Sequence, residues 1–94
     1  MYISHRKKEH YCVKYGGWGI KKKVLDYLVE NQIGKVEIVF HSKKGTKRYI
    51  TDTKNFIKYG KEDSLGGFEP QIFLNDRYWR ELKIPEYRKV SLYV

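Results

Sequence analysis

The chain has 94 residues, 40% hydrophobic and 16% aromatic, and its 20 Lys and Arg against 11 Asp and Glu give a net charge of +9. This length supports one compact domain with one core and is too short for two, so we expect a single basic domain over residues 1–94. A lone cysteine, Cys12, excludes an internal disulfide framework. Because no apolar run approaches the roughly 18 residues of a spanning helix, we expect a cytoplasmic protein without membrane insertion.

The first half of the chain predicts a strand, a helix and a hairpin in that order. Residues alternate from Glu9 to Tyr15, as they do in a strand with one buried face. From Ile20 to Gln32 the apolar side chains recur at helical spacing, which predicts the main helix. Two further alternating runs, 35–41 and 47–51, are joined through Gly45, and this pattern is typical of a β-hairpin.

The second half predicts shorter elements. A short helix is expected after a cap at Thr51, Asp52 or Thr53 and ends at Gly60. A loop over 61–67, a strand over 68–74, a helical turn bearing Tyr78, Trp79 and Leu82, and a final strand through Val90, Leu92 and Val94 follow. Together these elements predict an α+β fold. It has a four- to five-stranded antiparallel or mixed sheet, a main helix at about 20–32 on one face, and one or two short helices.

The positive charge is concentrated in the first half. Residues 1–50 carry 12 basic and 4 acidic side chains, a net +8, whereas residues 51–94 carry 8 and 7, a net +1. Such asymmetry favours attraction to a polyanion, chiefly nucleic acid. Genome bias or heat adaptation accounts equally for abundant lysine, but not for its uneven placement.

The predicted strand and main helix are joined by a glycine-rich segment followed by lysines. Glycine backbones come close to bulky ligands, and the N–H groups at a helix start attract anions, so this junction is a candidate phosphate site. The lysines also oppose the helix dipole, which an anion would offset. The spacing fits neither a Walker A loop nor a dinucleotide fingerprint, and a simple turn accounts for the glycines equally well. The candidate residues are Gly16, Gly17, Trp18, Gly19, Lys21, Lys22 and Lys23, with Trp18 as a possible base-stacking ring.

The predicted hairpin tip is a second candidate contact. Four cations surround its turn: Lys43, Lys44, Lys47 and Arg48. A two-stranded ribbon of this kind fits the major groove of DNA or follows a phosphate backbone. A solvated turn that is charged for solubility is the alternative interpretation.

The sequence therefore predicts a small nucleic-acid-binding protein, with DNA or RNA as partner and its oligomeric state open. One alternative is an accessory protein that docks on an acidic protein partner, with Tyr78, Trp79 and Ile84 as a candidate apolar patch. The other is a metal-independent ribonuclease using histidines. His5, His10 and His41, beside Lys14 and Lys44, are the available groups, and the predicted strand faces allow His10 and His41 to share a surface. We assign no catalytic residues, cofactor or metal site, because Cys12 and the three histidines make a poor zinc set and the carboxylates are scattered.

Overall fold

The computed structural model describes residues 1–67 and 69–83, and these form seven strands and two α-helices. The helices are α1 (Lys22–Glu30) and α2 (Thr53–Tyr59), and 3-10 turns cover Leu65–Gly67 and Asp76–Tyr78. The strands are β1 (Tyr2–Arg6), β2 (Gly17–Lys21), β3 (Lys35–Ser42), β4 (Gly45–Asp52), β5 (Lys61–Asp63), β6 (Gln71–Asn75) and β7 (Arg80–Leu82). The α+β class expected from the sequence is confirmed.

The strands form two sheets. The larger sheet has the order β1-β3-β4-β7 and is mixed, because β1 runs parallel to β3 while the other neighbours are antiparallel. The smaller sheet has the order β2-β6-β5 and is antiparallel. After β1 the chain passes through β2 and α1 before it returns as β3, which is the long crossover that a parallel pair requires. The larger sheet has the predicted number of strands and mixed pairing, but only its β3 and β4 were predicted as strands. The predicted strand over 68–74 corresponds to β6 of the smaller sheet, which was not expected.

The prediction of a strand over Glu9–Tyr15 is wrong. This segment is a loop, joined to β2 by one bridge between Cys12 and Gly17. The carbonyl oxygen of Cys12 accepts the N–H groups of Gly16 at 2.7 Å and Gly17 at 3.2 Å, and Gly16 has a φ of +68°. A tight turn therefore precedes the strand. The glycine segment itself continues as β2, so α1 begins at Lys22, not at Ile20.

The predicted hairpin and short helix are confirmed. Ser42 pairs with Gly45, so Lys43 and Lys44 form the turn between β3 and β4. Gly45 has a φ of +132°, a backbone conformation that favours glycine. At the start of α2, the Thr53 hydroxyl donates to the Ile33 carbonyl at 2.7 Å and fixes the helix to the loop before β3.

The last described elements differ from the predicted ones. The expected loop over 61–67 contains β5 and a 3-10 turn, and the expected strand over 68–74 begins only at Gln71, after Pro70. The expected helical turn around Trp79 is instead the 3-10 turn followed by β7. The predicted strand through residues 90–94 lies outside the described residues.

The hydrophobic core draws side chains from both sheets and both helices, and Trp18 lies inside it with 5% of its surface exposed. Its ring centre is 4.5 Å from that of Tyr49, 5.8 Å from Phe40 and 5.9 Å from Trp79. The remaining core members are Ile20, Leu28, Val36, Ile38, Phe56, Ile72 and Leu74. An aromatic cluster at the centre compensates for a chain that contains no alanine.

Candidate nucleic-acid interface

The glycine segment does not form the anion-binding loop that its sequence indicated. The amides of Gly16 and Gly17 already donate to Cys12, and Gly19 lies within β2 opposite Phe73. The ring of Trp18 is buried, so it offers no face to a nucleotide base. Glycine is needed at position 17 because a Cβ there would overlap the carbonyl oxygen of Leu74. The glycines thus allow β2 to pack closely on β6.

The lysines at the start of α1 are paired with carboxylates from later in the chain. The Nζ atoms of Lys21 and Lys23 lie 3.5 and 3.4 Å from Glu69, and that of Lys22 lies 3.1 Å from Glu62. Lys23, and then Lys21, hold the pKa of Glu69 below its ordinary value. All these side chains are at least half exposed, so solvent and salt weaken each pair. The charges that oppose the helix dipole are therefore balanced within the protein, although by pairs that a ligand can displace.

The hairpin keeps most of its charge available. The side chains of Lys43, Lys44 and Lys47 are exposed, and no carboxylate of the described residues lies within ion-pair distance of them. Arg48 differs, because its Nη1 lies 3.6 Å from the buried carboxylate of Glu37. Three of the four predicted hairpin cations are thus exposed and have no ion-pair partner in the part of the chain that the structure describes.

The two predicted cation groups line different clefts. Lys21 and Lys23 line a cleft between β1 and β2, together with Arg6 and His10. Lys47 and Arg48 line a second cleft beside β7, which also contains His41, Thr46, Glu81, Leu82 and Lys83. The clefts share no lining residue, so the candidate site divides into two parts.

A third surface, which the sequence analysis missed, combines cations with aromatic rings. We call it the tyrosine face: a cleft of about 420 Å³ lined by Lys14, Tyr15, Lys58, Tyr59, Lys61, Phe73, Asn75, Arg77 and Tyr78. The rings of Tyr59 and Tyr78 are stacked, with their centres 4.4 Å apart and their planes 9° from parallel. Tyr15 is stacked on Phe73 at 5.3 Å and 13°. The face therefore has two pairs of parallel rings.

Each tyrosine of this face has a cation close to its ring. Lys14 lies 5.3 Å from the ring centre of Tyr15, Lys58 lies 5.3 Å from that of Tyr59, and the Arg77 guanidinium lies 5.8 Å from that of Tyr78. These distances are within the range of cation–π attraction. In each case the cation directly precedes its tyrosine in the sequence. The dipeptide alone could not have identified the face, because Arg48-Tyr49 has the same order and packs Tyr49 against the core.

Only one of the cations on the tyrosine face is neutralised by a carboxylate in the described part of the chain. Lys14 Nζ lies 2.9 Å from Asp63, which also accepts the hydroxyl of Tyr15 at 2.6 Å. Among residues 1–67 and 69–83, no carboxylate is within ion-pair distance of Lys58, Lys61 or Arg77. The described side chains of the face thus have a net positive charge beside the exposed ring of Tyr59.

The hydrogen bonds to Asp63 lead to a pH-dependent prediction. The Tyr15 hydroxyl, and then Lys14, hold the pKa of Asp63 below its ordinary value of 3.8. The native state therefore binds this proton more weakly than the unfolded chain, and Asp63 loses its stabilising effect as the pH falls through its native pKa. We expect Asp63→Asn to be less stable than the wild type in urea titrations at about pH 7, with the difference shrinking below about pH 4.

Tyr15→Phe is the matched control, since it removes one donor to Asp63 and leaves the carboxylate in place. In the Tyr15→Phe variant, Asp63→Asn is expected to cause a smaller decrease in the free energy of unfolding than it does in the wild type. A difference that stays the same from about pH 7 to about pH 2 would show that the charge of Asp63 does not stabilise the fold.

The histidines proposed for a ribonuclease do not meet in one cleft. His10 lines the cleft between β1 and β2, whereas His41 lines the cleft beside β7. His41 is hydrogen bonded instead to His5, with 2.9 Å between Nε2 of His41 and Nδ1 of His5. No group of three or more metal-binding side chains occurs among the described residues. The structure therefore separates His10 from His41 and instead brings His41 together with His5.

The apolar patch suggested for a protein partner also differs from the prediction. Trp79 is 7% exposed and its indole Nε1 donates to the Leu74 carbonyl oxygen, so it belongs to the core. Ile84 lies outside the described residues. Apolar side chains are exposed instead at other positions, which on the helices include Tyr27 and Val29 of α1 and Ile57 of α2.

No helix within residues 1–67 and 69–83 is long and apolar enough to cross a membrane. No family model matches the chain, and comparisons with curated proteins and with solved structures found no match.

Proposed function

We propose that the protein binds single-stranded nucleic acid on the tyrosine face. The observation that carries this proposal is the stacked pair of Tyr59 and Tyr78 beside three cations, Lys58, Lys61 and Arg77, that have no carboxylate partner among the described residues. Proteins that hold single strands combine these two features, because rings stack on bases while cations follow the phosphates.

The exposure of Tyr59 favours unpaired bases over a duplex. Tyr59 is 39% exposed, whereas Tyr15 and Tyr78 are half-buried, and a base can stack on Tyr59 only after it has left its own helical stack. Lys58 and Arg77 lie against the rings in the free protein, and both have flexible stems that let their charged groups turn to a phosphate when a base takes their place. Each cation and the tyrosine that follows it in the sequence thus supply a charge for a phosphate and a ring for stacking.

The hairpin provides a second set of phosphate contacts in this proposal. Lys43, Lys44 and Lys47 are exposed and unpaired within the described part of the chain, and they belong to the half that carries a net +8. They add long-range attraction and lengthen the binding surface. The lysines at 21–23 contribute less, because Glu62 and Glu69 already balance them.

Fluorescence anisotropy with labelled strands of about 12 nucleotides tests the proposal. Single-stranded DNA or RNA is expected to bind more tightly than a duplex of the same length. If only Lys58, Lys61 and Arg77 contact phosphates, the slope of log K against log salt is expected to be about −2, since each contact to a single strand contributes about −0.7. Engagement of the hairpin lysines makes the slope steeper.

Point variants separate stacking from charge. Tyr59→Ala is expected to weaken single-strand binding by about 1 to 3 kcal/mol without changing the salt slope. Lys58→Gln is expected to make the slope shallower by about 0.7. Tyr27→Ala and Lys54→Gln are the matched controls, because both side chains are exposed on helices and lie outside the tyrosine face. Absence of binding at low salt, or an equal loss in Tyr59→Ala and Tyr27→Ala, would contradict the proposal.

Docking on a protein partner is the second candidate. It is supported by the groove between α1 and α2, where Val29 and Ile57 are 50% and 62% exposed. Asp26, Glu30 and Glu62 also line this groove against one cation, Lys22, so it fits an apolar or basic partner better than the acidic one expected from the sequence. If the protein binds a duplex or a single strand tightly and Ile57→Ser binds it equally well, nucleic-acid binding does not use this groove.

A further inference from the structure

The cleft between β1 and β2 differs from the tyrosine face in position and in chemistry. β1 is an outer strand of the larger sheet and β2 is an outer strand of the smaller one. The cleft between them therefore lies between the edges of the two sheets. Its volume is about 590 Å³, which is in the range of small-ligand sites. The charged side chains that line it are Arg6, Lys21 and Lys23, and His10 lies beside them.

Arg6 is held in this cleft by the fold. In β1 the side chains of Tyr2, Ser4 and Arg6 are half-buried, whereas those of Ile3 and His5 are exposed, so Arg6 lies on the core side of the sheet. The Arg6 guanidinium donates through Nη2 to the carbonyl oxygen of Gly19 at 2.8 Å, and through Nε to the Ser4 hydroxyl at 3.1 Å. Both strands therefore fix its orientation, and its other N–H groups have no partner among the described residues.

The charge of Arg6 is not balanced by any described carboxylate. Burial lowers the pKa of its guanidinium, yet an arginine stays protonated at neutral pH, so its charge must be stabilised by other means. Within residues 1–67 and 69–83, no Asp or Glu lies within ion-pair distance of it. A partly buried cation without an anion is costly, and this cost falls when an anion binds.

The opposite wall supplies two more cations. Lys21 and Lys23 share a single carboxylate, Glu69, at 3.5 and 3.4 Å, and all three side chains are more than half exposed. The cleft is therefore lined by three cations, and Glu69, which pairs with two of them, is not a lining residue. An anion with two charges balances this excess, and planar guanidinium groups bind phosphate oxygens in pairs.

We propose that the β1–β2 cleft binds a phosphate monoester, with Arg6 contacting two of its oxygens and Lys21 and Lys23 supplying the remaining charge. The ligand is either a free nucleoside monophosphate or the terminal phosphate of a strand. The site does not depend on single-strand binding at the tyrosine face, because the two clefts share only Phe73 among their lining residues.

Isothermal titration calorimetry with AMP, adenosine and inorganic phosphate tests the site, with amide shifts of Gly19 and Lys21 in NMR spectra as a local readout. AMP and phosphate are expected to bind and to shift both amides, whereas adenosine is not. Arg6→Gln is expected to weaken AMP binding by about tenfold or more, because it removes a charge-assisted bidentate contact. Lys54→Gln, at an exposed position of α2, should bind AMP like the wild type.

Two further measurements complete the test. One identifies the source of the phosphate, and the other still tests the site if Arg6→Gln does not fold. If strand termini are the ligand, an oligonucleotide with a 5′-phosphate binds more tightly than its 5′-hydroxyl form, and Arg6→Gln removes the preference. If free nucleotides are the ligand, AMP binds and the terminal phosphate gives no preference. Lys23→Gln changes an exposed side chain, so its weaker AMP binding would support the site even if Arg6→Gln failed to fold.

The proposal is overturned if AMP and phosphate leave the Gly19 and Lys21 amides unshifted and the 5′-phosphate gives no preference. Tyr59→Ala distinguishes this failure from failure of the proposed function. That variant is expected to lose strand binding and to keep AMP binding.

Discussion

Trp18→Ala is expected to lower the free energy of unfolding by about 3 to 5 kcal/mol, the usual cost of removing a buried tryptophan ring. The ring lies between Phe40, Tyr49 and Trp79, and it also meets Tyr11 edge to face at 5.5 Å. Its loss leaves a cavity where β2 meets the larger sheet. Because small domains have only about 5 to 15 kcal/mol of stability, this single change removes a large fraction. Urea denaturation followed by far-UV circular dichroism measures it.

Two control variants define the cause of the loss at position 18. Trp18→Phe keeps most of the ring and removes an indole N–H that is buried without a partner among the described residues, so its cost is expected to be about 1 kcal/mol. Tyr27→Ala, at an exposed aromatic position, is expected to change stability by no more than about 0.5 kcal/mol. If Trp18→Ala folded as stably as the wild type but no longer bound nucleic acid, the stacking role suggested by the sequence would be right after all.

Gly17→Ala is expected to destabilise the protein by about 3 kcal/mol, at the upper end of the usual overpacking cost. A methyl group at this position would overlap the carbonyl oxygen of Leu74 and lie 2.8 Å from the amide nitrogen of Asp76. Both are backbone atoms next to the pairing of β2 with β6, so neither can move away without disturbing the smaller sheet. The midpoint of urea denaturation gives the change.

Gly34→Ala is the matched control for Gly17→Ala. A Cβ at position 34 has nothing within 4 Å, so the same methyl group meets open space there. The control is expected to leave stability unchanged or to raise it by about 0.5 kcal/mol, since alanine restricts the unfolded chain. Equal losses at positions 17 and 34 would mean that close approach to Leu74 is not the reason for glycine at position 17.

Local patterns predicted the parts of the fold whose partners are near in sequence. The hairpin was predictable because alternation in β3 and β4 and a permissive glycine at position 45 are all found within 18 consecutive residues. The centre of α1 was predictable because Leu28 and its neighbours recur at helical spacing. These signals need no knowledge of the rest of the chain.

The errors share one physical cause, which is pairing between distant parts of the chain. The sequence suggested Trp18 as a possible base-stacking ring, yet Phe40, Tyr49 and Trp79, which lie far from it in the chain, enclose its ring. The alternation from Glu9 to Tyr15 had no strand to pair with, apart from the single bridge at Cys12. β1 was missed because its pairing with β3 spans a long crossover, which no local pattern encodes.

The same cause limits prediction of the site. The lysines of residues 21–23 belong to a strongly basic half, but Glu62 and Glu69 fold back on them from the nearly neutral half. The charge asymmetry along the sequence is therefore partly cancelled in space. On the tyrosine face the fold instead brings positive charges together. Lys14, Lys58 and Arg77 are far apart in the chain and meet only in the fold.

The strand order of the smaller sheet also has a consequence for how the chain folds. Among the described residues, β2 has only β6 as a strand neighbour, and Trp18 pairs with Leu74, so this contact closes a loop that contains most of the described chain. Closing long loops is entropically expensive and slows folding, whereas the β3–β4 hairpin closes a short one. During synthesis from the N-terminus, β1, α1 and the hairpin are made before β6. The indole of Trp18 therefore stays without the neighbouring strand β6 until residues 71–75 have also been made.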